Sequence, residues 1–249
     1  MFNMDRLFRY ILYAALCFFS PNVTLAQEYV DFDRLMRDYG LVDILTLDDE
    51  ILVDLRYSGN DNFIGEDMYG ELDKAYFEKE FANRVVAAQR ELRRRRPDLT
   101  LLVYDAARPI SVQLRMHRTV QGTEFEQFVA NGTLGGRHNY GVAVDVTLAT
   151  LEGMPLEMGT PFDDFNDAAS VKLTPDSSDP KTRTVERYRA DLTTMMQCGL
   201  ISEEALINRM LLIEVMYSAG LVPYRREWWH FEECISMSDT RKKYRLLDF

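Results

Sequence analysis

Apolar and polar residues change period several times along the chain, and each change predicts an element. Between Glu78 and Arg95, Phe81, Val85, Ala88 and Leu92 recur at helical spacing, and Pro97 blocks continuation. A second strong helix starts at the cap Ser202, carries Glu203 and Glu204 in its first turn and stops at Gly220. Leu211, Leu212, Val215, Met216 and Ala219 supply its apolar stripe. Shorter helices are predicted at Asp31–Tyr39, Ser111–Gln121 and Val185–Gln197. Elsewhere the period is two. Val142, Val144, Val146 and Leu148 share one face of a strand whose other face carries Ala143, Asp145 and Thr147. Ile51–Tyr57 alternates as well, Leu41–Thr46 reads as a strand before it, and Leu99–Tyr104 is apolar enough to be buried on both sides. The segments 58–70 and 152–180, rich in Gly, Asp and Ser, read as loops, with 174–184 the most mobile in character. Strands and helices do not alternate strictly, and no internal repeat is present. The fold class is therefore α+β.

Composition narrows the function classes. The chain has 249 residues, enough for one substantial domain, and its 47% hydrophobic and 28% charged residues are ordinary for a soluble globular protein. A net charge of -11 argues against nucleic acid as a partner, because a phosphate backbone demands a basic surface. The one basic cluster, Arg93–Arg96, ends a predicted helix, where cations complement the dipole. The N-terminus has the form of a secretory signal over residues 1–26: Arg6 and Arg9, the apolar run Tyr10–Phe19, then Thr24-Leu25-Ala26 before Gln27. That run is short for a membrane span, so cleavage and export to the periplasm or beyond are expected, without stable membrane insertion, and residues 27–249 form the mature domain. Cys17 belongs to the signal, while Cys198 and Cys234 stay in the mature chain with their pairing open.

The candidate chemistry starts at Asp145, a carboxylate on a strand otherwise suited to burial, where an unpaired charge is costly. His138 lies seven residues upstream across a turn containing Gly141, so its imidazole can return to Asp145. Taken alone, the two read equally as a hydrogen-bonded pair or as part of a metal site. The chain has only three histidines. Of the others, His117 has no ligand type at useful spacing, but His230 follows Glu227 by three residues in the run Glu227-Trp228-Trp229-His230. Two imidazoles, one carboxylate and a nearby acid are the parts of a catalytic zinc site with an open position. In a regular strand Glu227 and His230 face opposite sides, so they converge only if the run is turned, bulged or helical. Arg108, fixed before Pro109 at the end of a buried strand, reads most simply as a strand-end ion pair and alternatively as a cation aimed into a site.

Together these segments resemble the D-alanyl-D-alanine dipeptidase family of bacterial zinc D,D-peptidases, whose fold is shared with the Hedgehog signalling domain. The likeness extends from the histidine motifs to Val53–Tyr57 with Asp61–Gly65, Asp105–Pro109, Met158–Asp163 and Asn208-Arg209, and covers nearly the whole mature chain. It implies a mainly antiparallel sheet flanked by helices and one zinc ion on His138, Asp145 and His230. It also implies Glu227 as general base and then acid, Arg108 beside the scissile carbonyl, and Asp163 reading the free ammonium group of a small dipeptide. Zinc lowers the pKa of a bound water to about 7, and a cation facing the developing oxyanion is worth about 2.7–4 kcal/mol of barrier. One position departs from the family pattern: Gly136 stands where a Ser two residues before the first histidine is usual. It bears on dipeptide selectivity more than on hydrolysis. The neighbouring alternatives are a D,D-carboxypeptidase or endopeptidase acting on peptidoglycan stems, and a catalytically silent zinc-bearing binding module.

Overall fold

The computed structural model describes residues 30–172 and 183–249. The signal segment predicted at 1–26 and most of 174–184 lie outside the described residues. Asp31–Phe249 forms one compact unit. Among the described residues, no helix is long and apolar enough to cross a membrane.

The periodic segments become the elements that position everything else. Helix α1 (Phe32–Asp38) is capped by the Asp31 side chain. Strand β1 (Val42–Asp43) pairs antiparallel with β3 (Tyr76–Phe77), apart from the main sheet. The predicted strand 41–46 is cut short because the Asp43 side chain accepts from the Leu45 amide and caps a 3-10 turn at Ile44–Thr46. Strand β2 (Leu52–Val53) is likewise shorter than predicted, although the Asp54 and Arg56 amides still bond to Val103 and Tyr104. Helix α2 (Lys79–Arg95) begins at Glu78, whose carboxylate accepts from the Glu80 and Phe81 amides, and ends before Pro97. Strand β4 (Leu99–Asp105) is buried along its whole length. Helix α3 (Ile110–Val120) follows, with His117 half-buried.

Strand β5 (Ala143–Thr150) lies at the centre of a five-stranded sheet that, with β6 (Leu221–Pro223) and β7 (His230–Glu233), has the order β2-β4-β5-β7-β6. Only β2 and β4 are parallel. The other pairs are antiparallel, as expected. Helices α4 (Val185–Gln197) and α5 (Glu203–Ser218) pack together, and α5 leads past Gly220 into β6 (Leu221–Pro223). After β7 (His230–Glu233) comes α6 (Met237–Lys243), which the hydrophobic pattern does not announce. Its signal is the cap Ser236, which accepts from the Asp239 amide.

The two faces of the sheet differ. Leu101, Val103, Val144, Val146 and Leu148 join α2 and α5 in the main core, with Phe81, Val85, Leu92, Leu212 and Val215 all essentially inaccessible. On the opposite face Leu102, Tyr104 and Ala149 make a smaller cluster with Leu52 and Phe162. Asp145 and Thr147 share that second face by alternation. Cys198 and Cys234 are both free.

Candidate active site

Register across three strands builds the site. Asp145 is the cross-strand partner of His230 on β7 and of Asp105 on β4, so all three side chains project from one face. The Asp105 pairing depends on an irregularity in β4 between Val103 and Asp105. His138 arrives from a 3-10 turn, Arg137–Tyr140, just upstream of β5. That turn ends at Gly141 with φ +68, where a Cβ would meet the Glu78 backbone nitrogen at 3.1 Å. A glycine is needed there for both the left-handed backbone and the close approach.

The turn aims the first histidine. His138 Nδ1 donates to the Ala106 carbonyl at 2.7 Å, leaving Nε2 to face Asp145 Oδ1 at 3.3 Å and His230 Nδ1 at 3.2 Å. His230 Nδ1 lies 3.1 Å from the same Asp145 oxygen, and its Nε2 is turned toward Glu232 Oε2, 3.5 Å away. The three donor atoms all lie within 4.8 Å of one another. Two ring nitrogens and a carboxylate oxygen converging on one point need a positive charge among them. The set therefore fits a divalent cation held by three protein ligands with an open position. Burial works against ionised Asp145, yet the two imidazoles hold it below the ordinary carboxylate range. Burial also opposes a charged His230, but Asp145 and Glu232 raise that ring to about 10, so protons and a metal ion compete for it.

Glu227 does converge with His230, because the run between them is a turn and not a strand. The His230 amide bonds to the Glu227 carbonyl and the Tyr224 amide to the His230 carbonyl. This brings Glu227 Oε2 to 3.9 Å from His230 Nδ1. Burial pushes the Glu227 carboxyl up to about 7, with the Asp145 charge adding to the effect and His230 and Arg108 opposing it. Trp228 and Trp229 are packing residues here: Trp228 Nε1 donates to Thr160 Oγ1 at 2.9 Å, and Trp229 meets Phe162 edge-on.

Both sequence readings of Arg108 hold at once. Its guanidinium pairs with Asp105, donates to Gln113 Oε1 at 3.0 Å and stands over the Tyr57 ring, yet it also lines the cavity. Asp163 faces the same cavity, and Tyr57 donates to its Oδ2 at 2.8 Å. Its backbone is left-handed, φ 59, uncommon outside glycine and tolerated by Asp. Burial, followed by the charges of Asp145 and Glu227, pushes its carboxyl well above the usual range. Its loop is held from behind by α5: buried Arg209 donates to the Met158 and Ser170 carbonyls, and Asn208 to the Glu157 carbonyl. The cavity measures about 350 Å³ and joins Tyr57, Arg108, Gly136, His138, Asp145, Asp163, Glu227 and His230 in one lining.

Sequence reasoning missed Tyr57 as a partner of Asp163 and Asp105 as the anchor of Arg108. It also missed Tyr69, whose hydroxyl donates to Asp105 at 2.7 Å, and Glu232. Tyr57 and Asp105 lay at the ends of predicted strands, where side chains leave the sheet and reach a pocket. That position was the available signal.

Comparison with known proteins shows the family. Two curated relatives are both D-alanyl-D-alanine dipeptidases. That of Escherichia coli (strain K12) is 27% identical over 196 residues, covering 77% of this chain and 83% of the relative. That of a Synechocystis species is 28% identical over 167 residues, covering 55% of this chain and 60% of the relative. Residues 37–244 match the peptidase M15 family model described as D-ala-D-ala dipeptidase, and on that match, spanning the whole site, the chain belongs to this family of peptidases.

Proposed function

We propose that the protein hydrolyses D-alanyl-D-alanine to two D-alanines with the aid of one zinc ion held by His138, Asp145 and His230. The observation that carries this reading is the placement of half-buried Glu227 beside the three converging donors, with its carboxyl raised to about 7. A divalent cation in that set supplies Lewis acidity, polarising a carbonyl and lowering the pKa of water to about 7.

The chain's own residues do the rest. Glu227 takes a proton from the attacking water and delivers it to the leaving amine, which suits a carboxyl whose affinity for protons lies near neutrality. Arg108, held by Asp105 and Gln113, presents a fixed positive charge to the oxygen that becomes negative as the carbonyl turns tetrahedral. Asp163 recognises the substrate ammonium group. The incoming cation offsets the burial and like charges that raise this carboxyl's proton affinity, and Tyr57 donates to its Oδ2. The signal-like sequence of residues 1–26 and the proposed dipeptide substrate together support a periplasmic or exported enzyme of cell-wall peptide turnover.

The test is D-alanine release from D-alanyl-D-alanine, from its amine-acetylated form and from a pentapeptide stem, each with and without chelator. Hydrolysis of the free dipeptide alone, abolished by chelator and restored by Zn2+, is expected. Equal turnover of the acetylated dipeptide would remove the role of Asp163. Preference for the stem would assign a D,D-carboxypeptidase, and silence toward all three substrates by Zn2+-loaded protein would assign a binding module.

A further inference from the structure

Arg137 immediately precedes one proposed ligand, and Glu232 follows another by two residues. Their side chains meet: Arg137 Nε lies 2.6 Å from Glu232 Oε2, with each side chain only 10% exposed. Arg183, two residues before α4, places Nη1 3.1 Å from the other oxygen, Oε1. Both guanidiniums are fixed in turn. Arg137 donates to Thr240 Oγ1 at 2.6 Å and to the Ile235 carbonyl, and Arg183 donates to the Pro223 carbonyl at 2.8 Å.

A buried carboxylate between two arginines is weak evidence of added stability, because desolvating the charges offsets much of their attraction. Its position is more informative. Glu232 Oε2 stands 3.5 Å from His230 Nε2, the ring nitrogen facing away from Asp145 and His138. A histidine that offers one nitrogen to a metal must present the other as N–H, and an anchored carboxylate sets both the tautomer and the ring angle. We propose that Glu232, clamped by Arg137 and Arg183, is a positioning residue that keeps His230 Nδ1 turned toward the metal centre. Because Arg137 adjoins His138, the same ion pair ties the two histidine-bearing segments together. The inference rests on the metal reading above.

Its test reads metal binding directly. Glu232→Ala and Glu232→Gln are titrated with Zn2+ against a competing chelator, and their Co2+-loaded forms are compared with wild type by visible absorption. Thermal unfolding of each metal-free protein reports the fold separately. Glu232→Ala is expected to bind Zn2+ about 10–100-fold more weakly than wild type. Glu232→Gln keeps an acceptor but not the charge, so a smaller loss is expected, and both variants shift the Co2+ bands. Wild-type affinity and an unchanged Co2+ spectrum in the folded variants would overturn the proposal; if the Ala variant does not fold, the Gln variant decides. A wild-type protein that fails to bind Zn2+ would instead overturn the metal reading itself.

Discussion

One strand, β5, presents two surfaces with different fates. Val144, Val146 and Leu148 are fully buried against the helical layer, a face held by packing alone. One residue over, Asp145 carries charge into an almost equally buried place, where two imidazoles compensate it. Damage to the first face is a matter of folding, because a cavity costs transfer and contact energy. Damage to Asp145 on the second is expected to be a matter of chemistry, because the larger share of the apolar packing lies on the other side. The difference teaches that packing and candidate chemistry are divided between the two faces of one strand.

That contrast predicts a clean separation of effects. Chelation should have the largest, eliminating dipeptide turnover while far-ultraviolet circular dichroism stays unchanged; loss of the sheet with the metal would merge the two faces into one unit. Glu227→Gln comes next, with kcat/KM falling about 10²–10⁴-fold at unaltered zinc content and an unaltered melting temperature. Arg108→Ala should lower kcat by about 10²–10³-fold and leave zinc content near wild type, because the guanidinium lines the cavity without belonging to the converging donor set. On the other surface, Leu148→Ala should lower the unfolding free energy by about 2–5 kcal/mol in urea titration. The folded fraction should keep wild-type turnover, and a loss of zinc affinity there would show the faces to be coupled.

The smallest effect concerns pH. In the proposed mechanism Glu227 must be ionised to accept a proton, so activity is expected to fall as pH drops through its pKa. Burial raises that pKa from 4.5 to about 7 before any cation is bound, and a bound cation pulls it back down. The acidic limb of kcat/KM should therefore lie between those two values and vanish from the Glu227→Gln variant. A limb that persists unchanged in that variant would assign it to another group.

Residues close in sequence were the most legible. His138, Gly141 and Asp145 belong to one turn and strand, so spacing alone brought the imidazole toward the carboxylate. Long helices were equally legible, since their caps and stripes are local. The strand predictions at 41–46 and 51–57 ran long because alternation cannot register a side chain that caps a turn or a chain that leaves a sheet edge. Glu227 and His230 could not be brought together by pattern, since an odd separation separates them in a strand and only the turn closed by Tyr224 reverses that. Glu232 escaped notice for a different reason. Its partners Arg137 and Arg183 come from distant segments, and no spacing rule reports such a clamp.

By itself, then, the sequence determined the α+β class, the principal helices, the buried strands and the residue types of a candidate metal-centred hydrolytic site. Periodicity and donor chemistry are properties of neighbouring residues, so a single chain carries them in the open. Tertiary structure alone decided that Asp105, Asp145 and His230 stand in one row across three strands. It also decided that Arg108 is held by its own strand end while facing the cavity, and that Asp163 meets Tyr57. Those facts follow from strand register and loop packing, which arise only when segments far apart in the chain bury their surfaces against one another.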